Sequence, residues 1–116
     1  MRATRMMMAG CLAVLAACGD STGSGGTPGS VQVQDNAFNP ASVQPASDGV
    51  VTWTWAGSGI HNVTFEDLAP GASNRSTGTF TRDFTGAAPG TYRYRCTNHS
   101  PTGNFTSGMV GAVVVP

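Results

Sequence analysis

Apolar and polar residues alternate one for one in run after short run of this chain, and no stretch sustains a helical interval. Successive side chains of a β-strand point to opposite faces, so such runs read as half-buried strands. Val31 and Val33 alternate with Gln32 and Gln34. Val51, Trp53 and Trp55 alternate with Thr52 and Thr54. His61, Val63 and Phe65 share one face of a further run. Tyr92, Tyr94 and Cys96 alternate with Arg93 and Arg95. Thr77 to Phe84 reads as a strand with Arg82 and Asp83 near its end, and Met109 to Val115 as a last apolar strand. Between the runs stand turn formers: Asn39-Pro40, Asp48-Gly49, Gly57-Ser58-Gly59, Pro70-Gly71 and Pro89-Gly90. Many short strands at this spacing predict an all-β domain over 31–116, an antiparallel sandwich or barrel. The segment Asp67–Ser76 lacks a pattern and reads as loop, with room for a short helical turn.

The residues before 31 have a different character. Arg2 and Arg5 open a short basic start, an apolar run follows from about Met6 to Ala17, and small residues then lead to Cys18. This is the layout of a secretory signal peptide, too short to serve as a permanent span. Leu15-Ala16-Ala17-Cys18 resembles the lipobox of bacterial lipoproteins. That resemblance implies that 1–17 is removed and that Cys18 carries the lipid. Each buried methylene contributes about 0.8 kcal/mol, so several acyl chains on one Cys would hold the chain at a membrane surface. Residues 19–30, GDSTGSGGTPGS, have nothing to bury and read as a flexible tether with a reach of about 20 Å. The expected location is therefore the bacterial cell envelope, with the domain facing the periplasm or the exterior.

Removal of 1–17 would leave four Arg against six acidic residues, and Lys is absent throughout. No basic patch is present for nucleic acid. Removal also changes the meaning of the cysteines. Cys11 goes with the leader and Cys18 takes lipid, so Cys96 is the one thiol of the folded part. A lone thiol in an oxidising envelope calls for burial, reactivity or metal.

The remaining inventory is short: two histidines (His61 and His99), one thiol (Cys96) and one thioether (Met109). Two imidazoles, a thiolate and a distant axial thioether make a blue-copper site. The alternation turns His61 and Cys96 inward, while Arg93 and Arg95 take the solvent side. Cys96-Thr97-Asn98-His99 puts a thiolate at a strand end and an imidazole in the next loop, and Met109 opens the following strand. Each residue also has a plain reading, as a packed histidine, an inert buried thiol, a loop histidine and a core methionine. It is their joint order that favours metal. Trp53, Trp55, Tyr92 and Tyr94 read as core, and Glu66-Asp67 as a solvated strand end or a weak acidic patch. The four Asn-x-Ser/Thr matches read as chance in a Thr-rich chain.

Over 31–116 the chain resembles the cupredoxins, small blue copper proteins of the plastocyanin, amicyanin and azurin kind. His61-Asn62-Val63 matches the family's His-Asn motif. Gly90-Thr91-Tyr92-Arg93-Tyr94-Arg95-Cys96-Thr97-Asn98-His99 matches the strand and loop that carry the Cys and the second His. Gly108-Met109 and the run to Val115 match the axial Met and closing strand. The resemblance implies a two-sheet Greek-key β-sandwich with one type 1 copper ion near one end, cycling between Cu(I) and Cu(II) on His61, Cys96, His99 and Met109. It also implies that Asn62 ties the ligand loops together. The stretch Ser100 to Gly108 is longer than in the familiar small members, which leaves open a three-coordinate ion or an oxygen donor in place of Met109.

The function so implied is one-electron transfer between transient redox partner proteins by a monomer. The His99 ring edge would be the exit point, within an apolar face of Gly57, Gly59, Ile60, Pro101, Gly103 and Phe105. Copper delivery through the same ligands is the alternative, although no Met- or His-rich stretch is present. A metal-free immunoglobulin-like module explains the strands but not the ligand set. Enzymatic readings fare worse, since multicopper oxidases and nitrite reductases need more histidines, dinuclear copper needs two cysteines, and a Cys-His hydrolase lacks an orienting third residue.

Overall fold

The alternating runs become strands. In the computed structural model, which describes residues 27–116, β1 (Ser30–Gln34) buries Val31 and Val33 and exposes Gln32 and Gln34. β4 (Val50–Trp55) buries Val51, Trp53 and Trp55. β5 (His61–Phe65), β8 (Gly90–Arg95) and β9 (Val110–Val115) stand where the pattern puts them. Short strands complete the set: β2 (Ala37–Asn39), β3 (Ser42–Val43), β6 (Ala72–Arg75) and β7 (Thr79–Asp83). The leader 1–17, Cys18 and residues 19–26 of the tether lie outside the described residues. Among those that are described, no helix is long and apolar enough to cross a membrane.

The strands form two sheets, β2-β1-β4-β7 and β3-β9-β8-β5-β6, packed as an all-β Greek-key sandwich. Between them Trp53, Phe65 and Tyr94 pack as a triangle, with ring centroids 5.3–5.7 Å apart. All three are at most 1% exposed. Full burial of a large apolar side chain contributes roughly 1.5–3 kcal/mol, so this cluster is the centre of the core. Within it, the Trp53 Nε1 and Tyr94 Oη atoms are buried without a hydrogen-bond partner. Burial pushes the Tyr94 hydroxyl well above the ordinary phenol range, because the charged form has no water.

Three features differ from the sequence reading. First, Asp67–Ser76 contains β6, which pairs with β5 through His61↔Arg75 and Val63↔Ala72. It is an edge strand that buries only Ala72, so it leaves no alternation to read. Second, two pairings are parallel, β1 with β4 and β3 with β9. The chain leaves β1 through β2, crosses to the other sheet as β3 and returns as β4, so β4 runs in the direction of β1. Third, β7 is shorter than 77–84, and Arg82 near its end packs on aromatic rings. Its guanidinium lies 4.3, 4.6 and 5.8 Å from the ring centroids of Phe65, Phe84 and Tyr92. It also donates to Asp67 at 2.8 Å.

Candidate metal centre

The first residue of β5 is held from three sides. The Trp55 indole Nε1–H donates to the His61 carbonyl at 3.1 Å, which fixes the backbone. The pairing of β5 with β6 slips between His61 and Val63, a local irregularity at the end of the strand. The imidazole itself is 1% exposed, and its Nε2 lies 2.9 Å from Asp35 Oδ1. A carboxylate only accepts, so Nε2 carries the proton and Nδ1 turns an unprotonated lone pair into the interior.

Cys96 and His99 come from a single tight turn after β8. The His99 amide donates to the Cys96 carbonyl at 3.2 Å, and Ser100 Oγ donates to the same carbonyl at 2.7 Å. A Cys-x-x-His spacing thus closes one turn, and it brings His99 Nδ1 to 3.4 Å from Cys96 Sγ. Cys96 is fully buried, whereas His99 is exposed at the end of the sandwich.

The three donor atoms converge. His61 Nδ1 and His99 Nδ1 are 3.2 Å apart, and Cys96 Sγ lies 3.9 and 3.4 Å from them. A point equidistant from atoms at these separations is about 2 Å from each, which is the bond length that nitrogen and sulfur ligands make to first-row metal ions. Two imidazoles and one thiolate in this arrangement suit copper. Cu(I) favours soft donors at low coordination number, Cu(II) favours nitrogen, and a preset trigonal site serves both with little movement.

Met109 is 1% exposed and lies just before β9 rather than in it. The long loop returns it to the centre. Its amide donates to the His99 carbonyl at 3.0 Å, and its carbonyl accepts from the Cys96 amide at 2.9 Å. Gly108, at φ +81°, permits that return, since a Cβ there would lie 2.6 Å from the His99 carbonyl oxygen. Met109 is therefore locked to the backbone of two of the three donor residues despite the length of Ser100 to Gly108.

Hydrogen bonds join the loops around the donors. Asn62, 5% exposed, donates to Thr97 Oγ1 and to Asn74 Oδ1, both at 2.8 Å, and accepts from the Thr97 amide at 3.0 Å. Asn98 donates to the Ile60 carbonyl at 3.3 Å and to Asn74 Oδ1 at 3.0 Å. Of the apolar face expected around His99, Ile60, Pro101 and Gly103 are exposed, while Gly57, Gly59 and Phe105 are half-buried. The Arg95 guanidinium lies over Phe105, 5.4 Å from its ring centroid, and donates to the Pro101 carbonyl, so the long loop is pinned to β8.

Sequence reasoning missed Asp35. It lies in the turn between β1 and β2, 26 positions before His61, and no spacing rule joins the two. Its carboxylate also accepts from the amides of Ser58 and Gly59. The His61 bond first, then these amides, hold it well below the usual carboxylate range. The signal in the sequence was Gly57-Ser58-Gly59, which reads as a turn but also frees backbone amides to meet an anion.

Comparison with known proteins agrees with this geometry. Neither a protein-family model nor a curated protein matches the sequence. Solved structures do match. A Sinorhizobium pseudoazurin is 25% identical over 75% of this chain and 72% of that one, with a TM-score of 0.51. A mutant plastocyanin of fern is 25% identical over 75% of this chain and 99% of that one, with a TM-score of 0.57. A copper-containing nitrite reductase from Thermus scotoductus is 19% identical over 87% of this chain and 25% of that one, with a TM-score of 0.56. The fold is the cupredoxin fold that the sequence motifs implied, and it carries a His-Cys-His group at one end.

Proposed function

We propose that this protein is a one-electron carrier of the bacterial cell envelope, working through a single type 1 copper ion held by His61, Cys96 and His99, with Met109 as the axial donor. The observation that carries the reading is the triangle of donor atoms, 3.2, 3.4 and 3.9 Å on its sides, built from two elements of a rigid sandwich. When bound, copper supplies the change between Cu(I) and Cu(II). The chain supplies a site that stays put: His61 is held by Trp55 and Asp35, and Cys96 by its turn. Burial of Cys96 and His61 keeps water from the ion, while the exposed edge of His99 offers a short path to a partner's cofactor.

The exposed residues Ile60, Pro101 and Gly103 around His99 suit a small, uncharged contact of the kind that transient redox partners use. We read the chain as a monomer, tethered to a membrane through lipid on Cys18, with no nucleic-acid partner. We also read it as non-catalytic. Its two histidines are both taken up by the one centre, which leaves no imidazole for a second metal.

Titration of the protein with Cu(II), followed by visible absorption and electron paramagnetic resonance, tests the reading. An intense thiolate-to-copper band at one copper per chain, lost in Cys96→Ser, is the expected result. A colourless protein without stoichiometric copper would remove it. The exposure of His99 also supports a second reading, copper delivery, because an outside ligand reaches that side of the site. Fast release of copper to a chelator would favour delivery, and slow release favours the electron carrier.

A further inference from the structure

Asp35 is exposed over 46% of its side chain, yet both of its carboxylate oxygens are engaged. Oδ1 accepts from Gly59 N–H at 2.7 Å, from His61 Nε2–H at 2.9 Å and from Ser58 N–H at 3.1 Å. Oδ2 accepts from Ser58 Oγ at 3.1 Å. The loop between β4 and β5 is shaped to receive it. A Cβ on Gly57 would lie 2.5 Å from Oδ1, and one on Gly59 would lie 3.0 Å from Oδ1 and 3.2 Å from His61 Nε2. The first is closer than a side chain tolerates, and the second would push Asp35 and His61 apart by a few tenths of an ångström. Asp35 thus sits in a cradle made for a carboxylate, with one oxygen on the back of a candidate copper ligand.

We propose that Asp35 is a positioning residue of the metal centre, which fixes His61 with its proton on Nε2 and weights the bound ion toward its oxidised state. This rests on the copper reading given above. The argument has two parts. A neutral imidazole has one N–H, and the carboxylate takes it, so Nδ1 is bare and faces Cys96 Sγ and His99 Nδ1. A carboxylate behind a ligating imidazole also makes that imidazole a stronger donor. Its negative charge, one ring away from the metal, attracts Cu(II) more than Cu(I). The charge is partly in water, so the effect is moderate.

Two variants and two readouts test this. Asp35→Asn keeps the shape and an acceptor oxygen but removes the charge, and Asp35→Ala removes both. In the copper-loaded protein, Asp35→Asn is expected to keep the blue band and to shift the relative affinity for Cu(II) over Cu(I) about tenfold, a rise of about 59 mV for a one-electron couple. In the metal-free protein, nitrogen NMR of the imidazoles is expected to find His61 protonated on Nε2 in the wild type. Asp35→Ala should relax it to a mixture of tautomers. An unchanged potential in Asp35→Asn would overturn the charge effect, and a wild-type His61 protonated on Nδ1 would overturn the positioning, even if neither variant folded. Failure of the wild type to take up copper would sink the copper reading alone, because the tautomer measurement needs no metal.

Discussion

Asn62 and Thr97 are joined twice, by the Asn62 amide donating to Thr97 Oγ1 at 2.8 Å and by the Thr97 amide donating to Asn62 Oδ1 at 3.0 Å. One residue follows His61 and the other follows Cys96, so this double bond between side chain and loop fixes the separation of the two donors. Asn62 also accepts from Thr64 Oγ1 at 3.0 Å. Truncation to Ala would remove all of these bonds at a part-buried place, where water replaces them only in part. The expected cost for Asn62→Ala is about 1–3 kcal/mol of stability in the metal-free protein, read from urea unfolding. Copper should also leave the variant faster. Wild-type stability would mean that Asn98, through Ile60 and Asn74, holds the loops by itself.

Met109 offers a sharper test of the fourth ligand. Leucine has nearly the same volume, so Met109→Leu should change the stability of the metal-free protein by less than about 1.5 kcal/mol. A blue band should persist, since His61, Cys96 and His99 are untouched. Loss of a weak donor harms Cu(II) more than Cu(I), so the potential is expected to rise, by about 59 mV for each tenfold change in relative affinity. A potential equal to wild type would mark Met109 as core packing only.

The strands with strong contrast between faces were legible in the sequence: Val31 and Val33 against their glutamines, Trp53 against its threonines, Tyr94 against its arginines. β6 was not, because an edge strand that buries only Ala72 pairs through its backbone and carries no hydrophobic signature. The parallel pairings were hidden for a different reason, since direction depends on the path through β2 and β3 rather than on any local pattern. His61, Cys96 and His99 stood out because the folded part holds so few soft or nitrogen ligands. Asp35 did not, because one aspartate in a turn is ordinary until the 57–59 loop is seen folded around it. Arg82 shows the same limit. Alternation gives its side of the strand, but not that its flat guanidinium packs on three aromatic rings.

Trp55 links the core to the centre, with its ring 7% exposed and its Nε1–H on the His61 carbonyl at 3.1 Å. Trp55→Phe keeps an aromatic ring but removes the indole hydrogen bond to that carbonyl. It also weakens the contact with Arg75, whose guanidinium lies 5.1 Å from the indole centroid. The expected loss is about 1–3 kcal/mol. In a domain of this size each kcal/mol corresponds to about 4–8 °C in Tm, so thermal unfolding resolves it. A Tm equal to wild type would show that the indole hydrogen bond is replaced by water.

The Asp67–Arg82 pair predicts a pH dependence whose sign follows from its geometry. The Arg82 hydrogen bonds, helped by the Ala69 amide, hold the Asp67 carboxyl below its ordinary value. A carboxyl depressed in the folded state favours folding at pH values above its unfolded value of about 3.9, and that contribution is lost as pH falls through the depressed value. Asp67→Asn should therefore be less stable than wild type near neutral pH, and the two should converge in strong acid. Asp67 keeps 38% of its side chain exposed, so solvent screening limits the difference to about 0.2–1 kcal/mol. Arg82 should remain on Phe65, Phe84 and Tyr92 in the variant, because that packing does not require the carboxylate. Parallel stability curves for Asp67→Asn and wild type across acid and neutral pH would show that the pair matters through shape, and that its charge contributes nothing.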